Sequence, residues 1–211
     1  MTSHRADIVV QKLPLGIYQA NCYLVSCPES REAIVVDAPG TAGEILPHLQ
    51  GLNARCIVLT HTHPDHTEAL AELRQRLQIP VAAHREEALR VWPAAESSLQ
   101  DGDVIEVGRQ HLKVIHTPGH TRGSVCLLHG KYLVSGDTLF PGGPGKTSRP
   151  ADFQQIVVSI TGKLFPLPDD TVVCPGHGPD TVLGKEKMEF ESFSSRRHPA
   201  DLCGDVLWLS S

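Results

Sequence analysis

The 211-residue sequence predicts a layered α/β fold, and three observations support this prediction. Short runs rich in β-branched residues recur along the chain, and Gly, Pro, Asn or Asp bounds most of them, as is typical of β-strands. Two longer segments instead repeat their apolar residues with the period of an amphipathic helix. The order is strands, helix, more strands, helix, a last strand and a helical tail, and such alternation favours an α/β layered domain.

Nine runs are predicted as strands. In chain order they are DIVVQKL, NCYLVS, AIVVD, CIVLT, VIEV, HLKVIH, SVCLLH, KYLVSG and TVVCPG. The first helical segment is predicted to start at Asp65, because Leu70, Leu73 and Leu77 then share one face while charged residues occupy the other.

The second helical segment is predicted to start at Asp152. Apolar residues between positions 153 and 164 recur at helical spacing, and Asp152 with Gln155 three residues later resembles a capping box. The glycine-rich stretch 141–150 before it is predicted to be a loop. This stretch matches neither glycine pattern of phosphate-binding loops, so the sequence does not indicate a phosphate site there.

Length and composition narrow the class of protein. A chain of this length suits one domain, residues 1–211, and 40% apolar with 20% charged residues is ordinary for a soluble globular protein. A net charge of −5 argues against nucleic acid as a partner. The N-terminal stretch has no apolar signal-like core, and no apolar run approaches the length of a membrane span. We expect a cytoplasmic protein that does not enter a membrane.

The cysteines and the C-terminal stretch are less informative. Six cysteines form no CxxC pair, so they are expected to be reduced and buried, with a disulfide as the alternative. Residues 191–211 are expected to be a tail in which Val206, Leu207, Trp208 and Leu209 pack back onto the domain. A contact in an oligomer is the alternative for this tail, and the sequence leaves the oligomeric state open.

Potential metal ligands follow four of the predicted strands. Ligands of α/β sheets collect just outside the carboxyl ends of the strands, so these residues are expected to converge on one edge. Imidazoles and carboxylates bind zinc-like cations, and a carboxylate can bridge two cations. Seven such residues exceed the needs of one tetrahedral ion and suffice for two ions that share a carboxylate and a water-derived hydroxide. The seven are His61, His63, Asp65, His66, His120, Asp137 and His177.

A purely structural interpretation of HTHPDH is a polar turn before a helix, with Asp65 as the cap. It accounts for Asp65, but not for the histidines at positions 61, 63 and 66 or for the ligand-type residues after three other strands. We therefore interpret the pattern as a metal centre. His84, His116 and Ser124 are candidates to orient its ligands, with a structural hydrogen bond as the alternative for His116.

At these residues the chain resembles the metallo-β-lactamase superfamily and, within it, the glyoxalase II-like hydrolases. The superfamily motif HxHxDH is present as HTHPDH, and the later motifs are present in order as PGHTRGS, GDTLF and PGHGP. NCYLV and IVVDAPG also resemble family elements, so the likeness covers roughly residues 8–185. It implies an αββα sandwich, in which two β-sheets lie face to face with helices outside.

The resemblance also implies which residues hold the metal ions. One divalent ion would be held by His61, His63 and His120, the other by Asp65, His66 and His177, and Asp137 would bridge them. Asp65 and Asp137 are the expected catalytic residues. Zinc is the favoured metal, while iron and manganese also suit histidine and carboxylate ligands.

The implied activity is hydrolysis of a small-molecule thioester, hydroxyacylglutathione-like, or of a related activated ester by a metal-bridging hydroxide. Hydrolytic β-lactamases of this fold usually have Cys or Ser where this chain has Asp137, which argues against that activity. Lys146 is expected to contact the substrate. Glyoxalase II has a C-terminal helical portion whose basic residues hold glutathione, whereas only about 25 residues follow Lys185 here. Arg196 and Arg197 are alternative basic contacts, with solvated surface as the favoured interpretation, and the thiol carrier stays open. The main alternative is an iron-dependent persulfide dioxygenase; a lactonase, a phosphodiesterase or nuclease, and a non-catalytic metal-binding protein are less favoured.

Overall fold

The computed structural model describes residues 8–211, so the first seven residues of the predicted domain, including Asp7 of the first predicted strand, lie outside the described residues. The described chain divides into two compact units. The first contains the residues up to Leu99 together with Val104–Lys113, and the second contains Gln100–Asp103 together with Val114–Ser211. That the chain acts as one domain remains a prediction.

The first unit contains a six-stranded sheet. Its strands, in chain order and in sheet order alike, are β1 (Val9–Leu15), β2 (Ala20–Ser26), β3 (Glu32–Val36), β4 (Asn53–Val58), β5 (Val81–His84) and β6 (Ser97–Leu99). The first three strands pair antiparallel, whereas β3, β4, β5 and β6 run parallel. Side chains of β2 are buried along its whole length, as expected for an interior strand.

Two helices follow strands of this sheet, α1 (Ala42–Ile45) and α2 (Leu70–Leu77). The prediction of a helix from Asp65 is wrong in its start, because Asp65 lies in the short 3-10 turn Pro64–His66. The backbone leaves helical angles at Thr67, where φ is −133°, so the α-helix begins only at Leu70. The predicted apolar face is confirmed, since Leu70 and Leu73 are fully buried.

A second six-stranded sheet has the order β14-β13-β10-β9-β8-β7. The strands from β7 onward are β7 (Val104–Val107), β8 (Gln110–His116), β9 (Val125–His129), β10 (Tyr132–Gly136), β11 (Leu139–Phe140), β12 (Gly143–Pro144), β13 (Val172–Pro175) and β14 (Thr181–Val182). β10 and β13 run parallel, and the short β11 and β12 form a separate hairpin. All nine predicted strands are therefore present.

The second unit also contains the helices α3 (Pro150–Ser159) and α4 (Leu183–Ser194). The predicted capping box at Asp152 is wrong. The N-cap is Arg149, and its guanidinium donates two hydrogen bonds of 2.8 Å to the carboxylate of Asp152 in the first turn. Helical hydrogen bonding extends beyond α3 as a π-helical turn over Ile160–Leu164, which covers the remainder of the predicted segment.

Each unit has its own apolar core. The core of the first unit includes Leu24, Val35, Ile57, Leu59 and Leu73. The core of the second includes Leu133, Ile156, Ile160, Phe193 and Trp208. Two mixed sheets and four α-helices among the described residues confirm the predicted α/β fold class.

The C-terminal stretch after α4 is irregular, and only part of its apolar prediction is correct. Val206 and Trp208 are buried in the second core, whereas Leu207 and Leu209 are 51% and 58% exposed. All six cysteines are free, as predicted, and four of them are buried.

Candidate metal centre

Asp37 and Thr60 meet at one edge of the first sheet because β3 and β4 are parallel neighbours that end together. The backbone N–H of Asp37 donates to the carbonyl of Val58 at 2.9 Å. The Asp37 carboxylate in turn accepts hydrogen bonds from the backbone N–H and the hydroxyl of Thr60, both at 2.7 Å. Asp37 is 1% exposed, so this carboxylate depends on its protein partners.

His66 is fully buried, and its Nδ1 lies 2.9 Å from the Oδ2 atom of Asp37. A carboxylate only accepts, so Nδ1 carries the proton and the ring's lone pair is on Nε2, the arrangement typical of a metal-binding histidine. His61 lies beside it, with Nδ1 3.1 Å from the Thr60 hydroxyl. Ligand atoms of Asp37, His61 and His66 all lie within 4.8 Å of one another.

The other two predicted ligands of the first unit are close to this pair. The rings of His61 and His63 are 4.8 Å apart between centroids, and the carboxylate of Asp65 lies 3.9 Å from Nε2 of His66. The first unit therefore brings together all four ligand-type residues of HTHPDH. Imidazoles and carboxylates at this density suit a divalent cation.

A buried carboxylate also supports the motif loop. The hydroxyl of Thr62 donates to the Glu87 carboxylate, and Glu87 is 2% exposed. His84, a predicted orienting residue, accepts a hydrogen bond at Nδ1 from the backbone N–H of Glu86 at 3.3 Å. Asp37, Thr60 and Glu87 are not among the residues predicted from the sequence. A signal existed for Asp37, which directly follows the predicted strand AIVVD in the way that the other candidate ligands follow theirs.

In the second unit, Asp137 and His177 follow the parallel neighbours β10 and β13, and Gly176 donates to the carbonyl of Gly136 at 2.8 Å. The Oδ2 atom of Asp137 lies 4.0 Å from Nε2 of His177 and 3.5 Å from Nε2 of His120. One carboxylate oxygen therefore lies near two imidazoles.

His120 is oriented by the main chain. Its Nδ1 donates to the carbonyl of Lys146 at 2.8 Å, which leaves the lone pair on Nε2, toward Asp137. The loop reaches this position because residue 145 is glycine: a Cβ there would overlap the carbonyl oxygen of Asp137. The glycine-rich stretch thus serves close approach of the backbone to the ligands.

A cavity of about 310 Å³ in the second unit opens beside these ligands. Its lining residues are Asp137, Phe140, Gly143, Pro144, Lys146, His177, Asp205, Val206 and Leu207. The lining combines an apolar wall with one exposed ion pair, in which Nζ of Lys146 lies 3.2 Å from Oδ2 of Asp205. Such a mixture is typical of small-molecule sites.

His116 and Ser124 bind the turn that carries His120. Nε2 of His116 donates to the carbonyl of Arg122 at 2.8 Å, and the Ser124 hydroxyl accepts from the backbone N–H of Thr121 at 3.1 Å. Both residues thus shape this turn. A role in orienting the metal ligands remains a prediction for them and for His84.

Comparison with known proteins identifies the class. Residues 15–177 match the Metallo-beta-lactamase superfamily, so the chain belongs to this superfamily, whose members are generally hydrolytic enzymes. Its members typically bind two divalent metal ions, and the donor sets in each unit fit such ions. No helix among residues 8–211 is long and apolar enough to cross a membrane.

Two curated relatives are similar over most of their length. The hydroxyacylglutathione hydrolase GloC of Haemophilus influenzae is 28% identical over 210 residues, with 89% of this chain and 99% of GloC covered. The probable metallo-hydrolase YqgX of Bacillus subtilis is 33% identical over 199 residues, with 84% of this chain and 93% of YqgX covered.

Three solved structures share the fold. BLEG-1 B3 metallo-beta-lactamase matches with a TM-score of 0.78 at 32% identity, covering 85% of this chain and 97% of its own. ETHE1 from Myxococcus xanthus matches with a TM-score of 0.74 at 30% identity, and the match covers 85% of this chain and 81% of the ETHE1 chain. TTHA1623 in a di-iron-bound form matches with a TM-score of 0.71 at 34% identity, and the match covers 84% of this chain and 97% of the TTHA1623 chain. The predicted metallo-β-lactamase fold is confirmed.

Proposed function

We propose that this chain is a metal-dependent hydrolase of a thioester, of the hydroxyacylglutathione kind or a related activated ester. The observation that carries the proposal is the carboxylate of Asp137, one oxygen of which lies 3.5 Å from His120 and 4.0 Å from His177. A carboxylate placed between two imidazoles is suited to bridge two cations. An aspartate at this position favours the glyoxalase II-like hydrolases over the β-lactamases of the same fold. The similarity to GloC supports a thioester substrate.

The proposed ligand sets are those that the sequence resemblance implies. One ion would be held by His61, His63 and His120 and the second by Asp65, His66 and His177, and Asp137 would be shared. The proposal is supported within each unit by the clustering of these side chains, and across the chain by the order of the motifs. Zinc is the favoured metal, and iron or manganese would suit the same donors.

The protein groups have distinct tasks in this proposal. When bound, the ions would lower the pKa of a water molecule and polarise the acyl carbonyl. The carboxylate of Asp37 holds the proton of His66 on Nδ1, and the carbonyl of Lys146 does the same for His120. Asp65, whose side chain is 25% exposed, accepts the proton that the attacking water loses. The departing thiolate needs little help from an acid, because thiols are far more acidic than alcohols.

A second candidate function is iron-dependent persulfide dioxygenation. It is favoured by the similarity to ETHE1 at 30% identity, and the di-iron form of TTHA1623 shows that a relative at 34% identity holds iron. In this case the protein would consume dioxygen together with a persulfide and would need iron rather than zinc.

One preparation can separate the two candidates. The protein is loaded with zinc or with iron, its metal content is measured, and hydrolysis of S-D-lactoylglutathione is recorded in parallel with oxygen uptake from glutathione persulfide. Thioester loss without oxygen uptake is the expected result. Oxygen uptake without hydrolysis would refute the hydrolase proposal, and protein stripped by a chelator is the control for metal dependence.

A further inference from the structure

The C-terminal stretch forms a fixed wall of the cavity beside Asp137. Thr147 and Gly204 exchange two backbone hydrogen bonds, of 3.1 and 2.8 Å. The backbone N–H of Trp208 donates to the carbonyl of Gly142 at 2.7 Å, and the Trp208 side chain is fully buried. Residues between these two anchors, including Asp205, are therefore held at defined positions along the cavity.

At the cavity rim, the carboxylate of Asp205 lies beside the ammonium of Lys146. The two groups are 3.2 Å apart, and the side chains of Asp205 and Lys146 are 76% and 66% exposed. Both residues line the cavity that also contains Asp137 and His177. Exposed ion pairs are held weakly, so both charges are available to a ligand that offers matching groups.

The pair distinguishes two kinds of ligand. A ligand group with a carboxylate alone must compete with Asp205 for the Lys146 ammonium, and it is repelled by the Asp205 carboxylate. A group with an ammonium beside a carboxylate finds an opposite charge for each. The rest of the lining, with Phe140, Pro144 and Leu207, suits the apolar portion of the same molecule.

We propose that Asp205 is a specificity-determining residue. Together with Lys146 it selects thioesters whose thiol carrier has an α-amino acid end, with an ammonium next to a carboxylate, over carriers that have carboxylates only. This inference rests on the proposed function, because it treats the cavity as the substrate cavity of that reaction. It adds the residue that would recognise the ammonium of the thiol carrier.

The kinetic test compares three substrates of the metal-loaded full chain. They are S-D-lactoylglutathione, its N-acetyl derivative, which lacks the ammonium, and the uncharged S-D-lactoyl-N-acetylcysteamine. In the unmodified protein, N-acetylation should raise KM about three- to fivefold with little change in kcat, the range expected from an exposed ion pair. In Asp205→Asn the KM for the parent substrate should rise by a similar factor, and the discrimination should fall below about twofold.

Asp201→Asn is the matched control, because Asp201 is an exposed acid of the same stretch and does not line the cavity. It should keep the full discrimination. An Asp205→Asn variant whose KM rises equally for all three substrates, the uncharged one included, would show a structural role and overturn the inference. So would a variant that only lowers the KM for the N-acetyl substrate, since Asp205 would then merely mask Lys146.

Binding without turnover separates this inference from the proposed function. Calorimetric titration with S-methylglutathione and with its N-acetyl derivative, which are stable thioethers, should show the same three- to fivefold preference and the same dependence on Asp205. Discrimination in binding without any thioester hydrolysis would refute the proposed hydrolase and leave only the recognition of the amino acid end by Asp205 standing. Hydrolysis without discrimination would support the hydrolase and overturn the role of Asp205. Absence of both hydrolysis and discrimination would overturn both proposals.

Discussion

Asp37→Asn should weaken metal binding strongly while destabilising the fold only moderately. The amide oxygen of Asn can still accept from the backbone N–H of Thr60, as Oδ1 of Asp37 does at 2.7 Å. Its NH₂ group would face Nδ1 of His66, where the carboxylate oxygen now lies at 2.9 Å, and can only donate. His66 would then have to accept at Nδ1 and move its proton to Nε2, the atom proposed to bind the ion.

The expected loss of metal affinity is about 10- to 100-fold, the range found when a residue that orients a metal-bound histidine is replaced. Asn also tolerates the left-handed backbone of residue 37, where φ is +59°, so the conformation adds little cost. Asp37→Ala behaves differently. It leaves three buried donors without an acceptor and should cost about 3–5 kcal/mol of unfolding free energy.

Three measurements test the predicted effects of Asp37→Asn. Competition with a chelator gives the zinc affinity, urea unfolding of the metal-free protein gives the stability, and long-range ¹⁵N NMR of the imidazole gives the tautomer of His66. Asp201→Asn, at an exposed position of the C-terminal stretch, controls for the change in charge. If Asp37→Asn binds zinc normally and keeps the proton of His66 on Nδ1, the proposed orienting role of Asp37 is wrong.

Three further predictions concern the second unit. Asp137→Ala should lower kcat about a thousandfold or more and reduce the metal content, measured by elemental analysis; near-normal turnover would contradict the shared-ligand proposal. Trp208→Ala should cost about 3–5 kcal/mol in urea unfolding, because the side chain is fully buried against Phe190 and Phe193. Burial raises the pKa of Glu186, so the folded state binds its proton more tightly, and this residue's contribution to stability is lost as the pH rises above the ordinary value of 4.5. Glu186→Gln should flatten that dependence in unfolding experiments across this range, and an unchanged slope would refute it.

Much of the fold was predictable because strand ends carry local signals. The nine predicted runs are rich in β-branched or other large apolar residues, and all of them form strands. Two more strands of the first sheet escaped prediction for a physical reason. Val81–His84 has one large apolar residue beside two alanines, and Ser97–Leu99 has only Leu99 after two serines, so their strand conformation depends on pairing with β4 and with each other. The start of α3 was predicted two residues late, although proline at the first helical position, Pro150, is a sequence signal for a helix start.

The candidate site was predictable where its residues follow strands. Asp37 obeys the same rule, so extending it to the strand AIVVD would have identified this carboxylate. Glu87 and Asp205 follow no such rule. Their contacts, with Thr62 and with Lys146, join residues 25 and 59 positions apart, and only the tertiary structure brings these together. Local sequence carries no information on such pairs.

The main chain and the side chain of Lys146 make different contacts. The carbonyl that accepts from His120 belongs to the backbone, so replacement of the lysine does not remove it. The side chain alone reaches the cavity and Asp205. Substitutions here can therefore alter which molecules are accepted while the imidazole keeps its orientation. If the chain has the proposed function, a single substitution at this position would change substrate preference without disturbing the hydrogen bond that orients His120.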